Sequence, residues 1–158
     1  MVRKKILSRN PEDTILIAAK FARNLRAGDI VFLRGELGAG KTTFTKGLAQ
    51  ALRVKESEVN SPTFILMNYY DGKLPIYHFD FYRLTKESEI STVDMEDYFY
   101  GQGISVIEWP ERLGEFAPKE FCEVHLEHES ECQRMIGFLA TGKDLKSRLN
   151  KMMPKIKI

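Results

Sequence analysis

The chain has 158 residues, a length that favours one domain with a buried core and no need for disulfide bonds. Its composition, 43% hydrophobic and 29% charged, is typical of a globular protein, and a net charge of +2 is too small to indicate nucleic-acid binding by itself. No apolar run has the length of a signal-peptide core or a membrane span. We therefore expect a single cytoplasmic domain over residues 1–158, without a membrane partner.

The first predicted element is a helix that begins near Asn10. Asn10 suits the N-cap, Pro11 suits the first helical position, and the acids that follow suit the first turn. Apolar residues recur at helical spacing as far as Leu25, and Gly28 ends the element. The apolar run at residues 30–33 then predicts a strand that is covered on both faces.

A glycine-rich loop follows this strand directly. Residues 35–42 read G-E-L-G-A-G-K-T, a complete match to the phosphate-loop pattern G-x-x-x-x-G-K-[ST]. Its glycines let backbone N–H groups converge on one anion, and the helix from Thr42 adds its dipole. Lys41 is placed to reach the β- and γ-phosphates, and the Thr42 hydroxyl is placed to ligate Mg²⁺. The sequence thus predicts binding of ATP with Mg²⁺. The binding residues predicted here are Gly35, Glu36, Leu37, Gly38, Ala39, Gly40, Lys41, Thr42 and Thr43.

The middle of the chain predicts a hairpin and a helix. Residues 64–70 and 74–80 are two strand-like runs that flank an Asp-Gly dipeptide, which is a hairpin-turn signal. The acidic stretch at residues 87–100 predicts a helix that ends at Gly101.

Two acids are predicted to complete the phosphate site. Asp80 ends the second hairpin strand, and Glu108 ends residues 104–108, another predicted buried strand. A phosphate loop needs an acid at the carboxyl end of a neighbouring strand to orient magnesium or water, although either acid alone could simply face solvent. We predict Glu108 as a magnesium ligand with Thr42, and Asp80 as a switching or water-positioning residue. Lys41, Asp80 and Glu108 are the predicted catalytic residues.

Three other features each have two interpretations. Residues 60–63 form a polar turn whose Ser61 and Thr63 hydroxyls suit either a nucleotide switch or an ordinary Ser-Pro turn. Trp109, the one tryptophan, suits either core packing or contact with a partner or ligand. His78 alternates with aromatic residues in a predicted strand, which favours a structural histidine over a catalytic one.

The last third of the chain predicts two strands and a basic helix. Residues 121–128 and 134–140 are predicted to pair antiparallel, and Cys122 and Cys132, in late segments that read as strands, are predicted to be reduced and half-buried. A helix or tail from about residue 142 carries many Lys and Arg residues, which suits a solvated end or a segment that touches RNA or a partner. The elements together predict an α/β fold of the P-loop NTPase type. It would have three α/β/α layers, a central mixed and largely parallel sheet, and a hairpin.

Five segments together resemble a known family. They are G-E-L-G-A-G-K-T-T-F-T-K-G at residues 35–47, N-S-P-T-F at 60–64, Y-H-F-D-F-Y-R-L at 77–84, D-Y-F at 97–99 and V-I-E-W-P-E at 106–111. Over about residues 10–126 the chain resembles the bacterial P-loop ATPase subunit of the tRNA threonylcarbamoyladenosine synthesis machinery, the TsaE/YjeE family. The region from residue 128 onward matches more loosely.

This resemblance implies a subunit that binds ATP and Mg²⁺ and hydrolyses ATP slowly when alone. It implies two partners, the threonylcarbamoyl-transferring catalytic subunit and its inactive paralogue, and contact with tRNA that is indirect. Together they would modify adenosine 37 of tRNAs that read codons beginning with A, and the ATPase would not itself perform the transfer.

The resemblance also assigns roles to residues. By motif match, the functionally sensitive acids and aromatic fall on Asp80, Glu108 and Trp109, and the switch segment falls on Ser61 and Thr63. The adenine would lie near Asn10, Thr14 and Arg134. We further expect partners to dock on a group of aromatic residues, namely Tyr82, Tyr98, Phe99 and Trp109.

Two other functions fit a phosphate loop in a chain of this size. A small kinase would need a lid with several arginines, and only Arg53 and Arg83 lie between the loop helix and Glu108. A nucleotide-gated assembly factor would bind ATP without hydrolysing it. A GTPase is disfavoured because the chain has no N-K-x-D guanine signature.

Overall fold

The computed structural model describes residues 4–156, apart from the side chains of residues 87 and 88. Its seven strands are β1 (Lys4–Ser8), β2 (Ile30–Arg34), β3 (Met67–Tyr70), β4 (Ile76–Asp80), β5 (Ile104–Glu108), β6 (Cys122–His128) and β7 (Arg134–Ala140). Its α-helices are α1 (Pro11–Ala22), α2 (Lys41–Ala51), α3 (Met95–Phe99) and α4 (Lys143–Met152). Short 3₁₀ helices span Glu56–Glu58, Glu87–Thr92, Pro110–Phe116 and Met153–Lys155.

The strands form one mixed sheet in the order β1-β7-β6-β2-β5-β4-β3. The four central strands β6, β2, β5 and β4 are mutually parallel, whereas β3, β7 and β1 pair antiparallel. The predicted hairpin is the β3–β4 pair, and the predicted terminal pair is β6–β7. Because β2, β4 and β5 run in the same direction, their carboxyl ends meet at one edge of the sheet.

Both faces of the sheet are covered, and β2 shows why. Val31 and Leu33 face a core cluster formed with α1, α2 and α4, while Ile30 and Phe32 face a second cluster with α3 and the 3₁₀ segments. This follows from the alternation of side chains along a strand. The predicted three-layer α/β/α architecture with a mixed sheet is confirmed.

The first helix begins as the sequence predicted. The Asn10 side-chain oxygen accepts a hydrogen bond from the Asp13 N–H at 2.8 Å, and Pro11 is the first helical residue. The helix ends at Ala22, several residues before Leu25. The strand β1 was not predicted, because five residues with two lysines at an edge of the sheet carry little strand signal.

Two predicted elements in the middle of the chain differ from the structure. The strand predicted at residues 64–70 begins only at Met67, and Phe64 and Ile65 lie in a turn with 82% and 66% of their surface exposed. The helix predicted at residues 87–100 is broken into a 3₁₀ helix and α3, because Val93 is extended between them.

The basic C-terminal region is packed against the core as far as residue 156. The apolar face of α4 is buried on the layer that contains α1. Arg148 on this helix donates two hydrogen bonds of 2.7 Å to the Asp29 carboxylate, just before β2. The prediction of a helix from about residue 142 is confirmed, and a purely solvated tail is wrong for this part of the chain. Within residues 4–156, no helix combines the length and apolar character that a membrane span requires.

The two cysteines differ in environment, contrary to the prediction that both are half-buried in strands. Cys122 is buried in β6, while Cys132 is exposed in the connection between β6 and β7. Burial raises the pKa of the Cys122 thiol to about 12, so its reactive thiolate forms only in strongly alkaline solution.

We therefore expect the native protein to take up one equivalent of iodoacetamide at pH 8, on Cys132, and the denatured protein to take up two. Mass spectrometry of the alkylated chain measures this directly. A Cys132→Ser variant serves as the control and should take up none when native. Equal labelling rates for both cysteines in the native protein would contradict the burial of Cys122.

Candidate functional site

A cleft of about 340 Å³ opens at the carboxyl edge of the central strands. It is bounded by the loop between β2 and α2, by the turn at residues 61–63, and by the ends of β4 and β5. Its lining residues are Leu37, Gly38, Gly40, Lys41, Thr42, Thr43, Ser61, Thr63, Asp80, Tyr82, Glu108 and Trp109. The structure therefore brings together the predicted loop, the predicted acids and the predicted switch residues.

The backbone of the loop has the conformation that the glycine pattern predicts. Gly40 is the N-cap of α2 with φ of 104°, which a residue with a side chain rarely adopts, and no side chain of the described residues caps this helix. A Cβ atom on Gly35 would lie 2.7 Å from the Leu126 carbonyl oxygen, so only glycine fits against β6. The uncapped amino end of α2 faces the cleft and favours an anion there.

Lys41 places a cation at the mouth of the loop. Its Nζ donates hydrogen bonds to the carbonyl oxygens of Gly35 at 2.7 Å and Glu36 at 2.9 Å. The ammonium also lies 4.7 Å from the centre of the Trp109 ring, a cation–π distance. Burial lowers the pKa of Lys41, and the negative charges of nearby acids, Glu108 foremost, oppose that shift.

The two predicted acids are direct neighbours in the sheet. Asp80 and Glu108 are register partners at the ends of β4 and β5, and each is only 3% exposed. Two buried carboxylates beside the single ammonium of Lys41 leave a local excess of negative charge. A polyanion would enter this cleft against that charge unless a cation accompanied it.

Asp80 holds the turn that precedes β3. One carboxylate oxygen accepts hydrogen bonds from the Ser61 hydroxyl at 3.2 Å and from the Thr63 hydroxyl, and the other accepts from the Tyr82 N–H at 2.9 Å. The predicted switch residues and the predicted acid Asp80 thus contact each other directly, a pairing that the sequence did not predict. Whether this segment moves with a nucleotide stays a prediction.

Glu108 is held from behind by a buried histidine. The Oε1 atom lies 2.9 Å from His78 Nε2, and His78 Nδ1 lies 3.1 Å from the Tyr70 hydroxyl. Among the described residues, no donor contacts the second oxygen, Oε2, and Glu108 lines the cleft. The interpretation of His78 as a satisfied buried histidine is confirmed, but its partner is a site residue. Because side chains alternate along a strand, His78 lies on the same face of β4 as Asp80. This two-residue spacing is the sequence signal that could have placed His78 next to the site.

Mg²⁺ prefers oxygen ligands and is commonly held by one or two protein groups together with phosphate oxygens and water. The Thr42 hydroxyl and the Glu108 carboxylate both line the cleft and supply such oxygens. Among residues 4–156, no group of three or more His, Cys, Asp or Glu side chains has a metal-binding arrangement. The chemistry of these two donors therefore fits a magnesium ion shared with a phosphate ligand.

The three residues predicted near adenine cluster around Ser8, outside the lining of the cleft. Ser8 is the register partner of Arg134, its hydroxyl lies 2.7 Å from that of Thr14, and it donates to the Asn10 carbonyl. Arg134 Nε donates to the Ala39 carbonyl at 3.1 Å, which fixes the loop to β7. Thr14 is 2% exposed, which leaves little of its side chain for a ligand. Base recognition by this group stays a prediction.

The predicted aromatic docking group is partly wrong. Phe99 is buried in the second core cluster, and the partly buried Tyr98 packs edge-on against Tyr77 and Phe79. Tyr82 is 42% exposed, and its ring centre lies 5.0 Å from that of Trp109.

Trp109 has features of both interpretations, since it packs against the second core cluster and lines the cleft. Its φ of 58° is unusual for a bulky residue, and such strain concentrates at functional sites. Three exposed apolar residues, Leu37, Phe64 and Ile65, belong to the loop and the turn beside the cleft.

A larger cleft of about 980 Å³ lies at the opposite edge of the sheet, beside the amino end of β2. Its arginine, Arg148, is already paired with Asp29 and Asp144. This cleft contains neither the glycine loop nor the paired acids, so we assign the predicted phosphate chemistry to the smaller one.

A family model, sequence relatives and a solved structure match this chain. Residues 8–136 match the family model described as threonylcarbamoyl adenosine biosynthesis protein TsaE. A Bacillus subtilis relative named tRNA threonylcarbamoyladenosine biosynthesis protein TsaE is 44% identical over 134 residues, covering 84% of this chain and 83% of the relative. A Treponema pallidum protein of the same name is 41% identical over 115 residues, covering 73% and 84%. The crystal structure of YdiB from Bacillus subtilis matches with a TM-score of 0.82 and 32% identity, over 99% of this chain and 97% of that one.

Proposed function

Because this chain belongs to the family of the threonylcarbamoyl adenosine biosynthesis protein TsaE, we propose that it is the ATP-binding and ATP-hydrolysing subunit of tRNA threonylcarbamoyladenosine biosynthesis. One observation carries the proposal: a glycine loop with a buried lysine and two buried, register-paired acids line a single cleft. A role in tRNA modification fits the cytoplasmic location predicted from the sequence.

The loop and Lys41 would bind the triphosphate of ATP. The uncapped amino end of α2 and the Lys41 ammonium supply N–H donors and positive charge, the features that phosphate loops use. Mg²⁺, when bound, neutralises phosphate charge and orients the terminal phosphate. Thr42 and the Oε2 atom of Glu108 would hold it.

The two acids would divide the work of hydrolysis. Glu108 lines the cleft, and no donor among the described residues contacts its Oε2 atom, which suits a metal ligand or a group that orients water. The oxygens of Asp80 are both engaged by the turn and by Tyr82, which suits a residue that holds Ser61 and Thr63 near the terminal phosphate. We retain the predicted assignment of Glu108 to the metal and Asp80 to the switch.

Partner proteins would complete the reaction. We propose that these are the threonylcarbamoyl-transferring catalytic subunit and its inactive paralogue, with tRNA contacted through them. Of the predicted docking group, Tyr82 and Trp109 remain suitable, and the exposed Phe64 and Ile65 extend the same side of the cleft. Burial of such apolar surface stabilises protein interfaces.

The test is the ATPase rate of the purified chain with and without those two partners. We expect slow hydrolysis alone and an increase on the order of tenfold or more with both partners, because no arginine of residues 4–156 lines the cleft to stabilise the transition state. A Lys41→Ala preparation in the same assay controls for contaminating ATPases.

Other outcomes would identify the two alternatives. Phosphorylation of an added nucleoside or shikimate-like acceptor would indicate a kinase. ATP-dependent assembly with the partners but no phosphate release would indicate a nucleotide-gated assembly factor. Either result would contradict the proposed ATPase.

A further inference from the structure

A buried row of polar side chains connects Glu108 with the turn at residues 60–63. His78 Nε2 lies 2.9 Å from Glu108 Oε1, and His78 Nδ1 lies 3.1 Å from the Tyr70 hydroxyl. The Tyr70 hydroxyl lies 2.9 Å from the Asn60 carbonyl oxygen and 3.3 Å from the Asn60 N–H. Glu108, His78 and Tyr70 are 3%, 0% and 3% exposed, so water contributes little to these contacts.

The direction of the hydrogen bond is determined at the Glu108 end of this row. A carboxylate only accepts, so His78 Nε2 carries the proton and donates to Glu108. The Tyr70 hydroxyl has a single proton, so it donates either to the Asn60 carbonyl oxygen at 2.9 Å or to His78 Nδ1 at 3.1 Å. Asn68 completes the row, since its amide donates to the Tyr70 oxygen at 3.2 Å and to the Asn60 carbonyl at 3.0 Å. Each buried polar group in the row therefore has a partner.

The same turn is also attached to the other acid. Ser61 and Thr63 donate to the Asp80 carboxylate, and the Asp80 N–H donates to the Leu66 carbonyl at 3.0 Å. Leu66 has φ of 70°, an unusual value for a leucine, so the chain leaves this turn under backbone strain. The segment 60–66 thus contacts Asp80 directly and Glu108 through Tyr70 and His78.

We propose that Tyr70 and His78 are positioning residues that couple the place of the turn at residues 60–63 to the orientation of the Glu108 carboxylate. The proposal rests on the proposed role of Glu108 in the cleft. With the turn in place, Tyr70 and His78 hold Oε1 and leave Oε2 free of hydrogen bonds from the described residues. When the turn is displaced, Tyr70 loses its Asn60 contacts and the hold on Glu108 loosens.

The first test uses nuclear magnetic resonance and does not depend on hydrolysis. In protein labelled with ¹⁵N-histidine, the Nε2–H signal of His78 is assigned by its loss in His78→Gln. The double variant Ser61→Ala/Thr63→Ala removes the hydroxyls that attach the turn to Asp80, without touching His78. We expect it to shift the His78 signal or speed its exchange with solvent. The same double variant in a Tyr70→Phe background should add no further change.

The second test is kinetic and uses the chain with its partners. Tyr70→Phe removes one hydroxyl and should lower kcat about fivefold with KM within about twofold, since the contacts of that hydroxyl with His78, Asn60 and Asn68 are lost. His78→Gln should lower kcat on the order of tenfold, as is common for residues that orient a metal ligand. Tyr69→Phe is the matched control, because it removes a hydroxyl from the neighbouring tyrosine of β3. Tyr69 is 54% exposed. This substitution should change neither kcat nor KM.

The two tests separate this proposal from the proposed function. An unchanged His78 signal in Ser61→Ala/Thr63→Ala would overturn the coupling, even if the chain hydrolyses ATP as expected. A coupled His78 signal in a chain that never hydrolyses ATP would uphold the coupling and overturn the proposed ATPase. A merely structural role predicts lower thermal stability in Tyr70→Phe with unaltered kcat and an unaltered His78 signal, and that result would also overturn the proposal.

Discussion

Lys41→Ala is expected to weaken ATP binding on the order of a hundredfold. The variant loses charge-assisted hydrogen bonds to phosphate, which together amount to about 3 kcal/mol. It also loses the two bonds that hold the Gly35 and Glu36 carbonyls, so the loop itself is less well ordered. Isothermal titration calorimetry with ATP and magnesium chloride measures the change in Kd.

The matched control for this experiment is Lys46→Ala. Lys46 lies in the same helix and pairs with Glu56 at 3.7 Å on the surface, away from the cleft lining, so its removal should leave Kd within about twofold. Because Lys41 is buried beside two carboxylates, Lys41→Met is a second variant that keeps the length of the side chain and lowers the risk of misfolding. Binding by both Lys41 variants at the Kd of the unaltered chain would refute the phosphate site.

Glu108→Ala is expected to lower the partner-stimulated ATPase rate at least on the order of a hundredfold while ATP binding persists. The loss of a carboxylate that orients metal or water affects the transition state more than the bound substrate. Removing a negative charge from the cleft should even favour ATP binding when magnesium is absent. Steady-state phosphate release gives kcat, and calorimetry with and without magnesium gives the two values of Kd.

Glu108→Gln tests the charge alone, because its amide oxygen still accepts from His78 and the buried imidazole keeps a partner. It should resemble Glu108→Ala in kcat and retain more thermal stability. The exposed Glu115, on the 3₁₀ helix after β5, offers a control in Glu115→Ala, which should behave as the unaltered chain. Normal hydrolysis by Glu108→Ala with both partners present would show that the acid of the metal site is elsewhere.

Much of the fold was predictable because its signals are local. The N-cap at Asn10, the glycine loop and the strand β5 each depend on residues within a few positions of one another, and all three were located correctly. An apolar run is a weaker signal for a strand, because it does not specify whether its side chains are buried against other elements. Phe64 and Ile65 therefore looked like the start of a strand but lie exposed in the turn that Asp80 holds.

The other wrong predictions concern features that depend on contacts between distant parts of the chain. The edge strand β1 forms because its backbone pairs with β7. The sequence of five residues does not show that such a partner is available. Phe99 looked suited to docking, yet it fills the second core cluster, since only the packing of α3 on the sheet decides which side of that helix is covered.

The sequence by itself determined the phosphate loop, its lysine and the presence of an acid at the end of each of two strands, because local backbone geometry and residue chemistry suffice for these. Only the tertiary structure decided that Asp80 and Glu108 are register neighbours and that His78, 30 positions before Glu108, holds that acid from behind. The physical reason is that strand order and register depend on contacts summed over the whole sheet. No short segment contains that information.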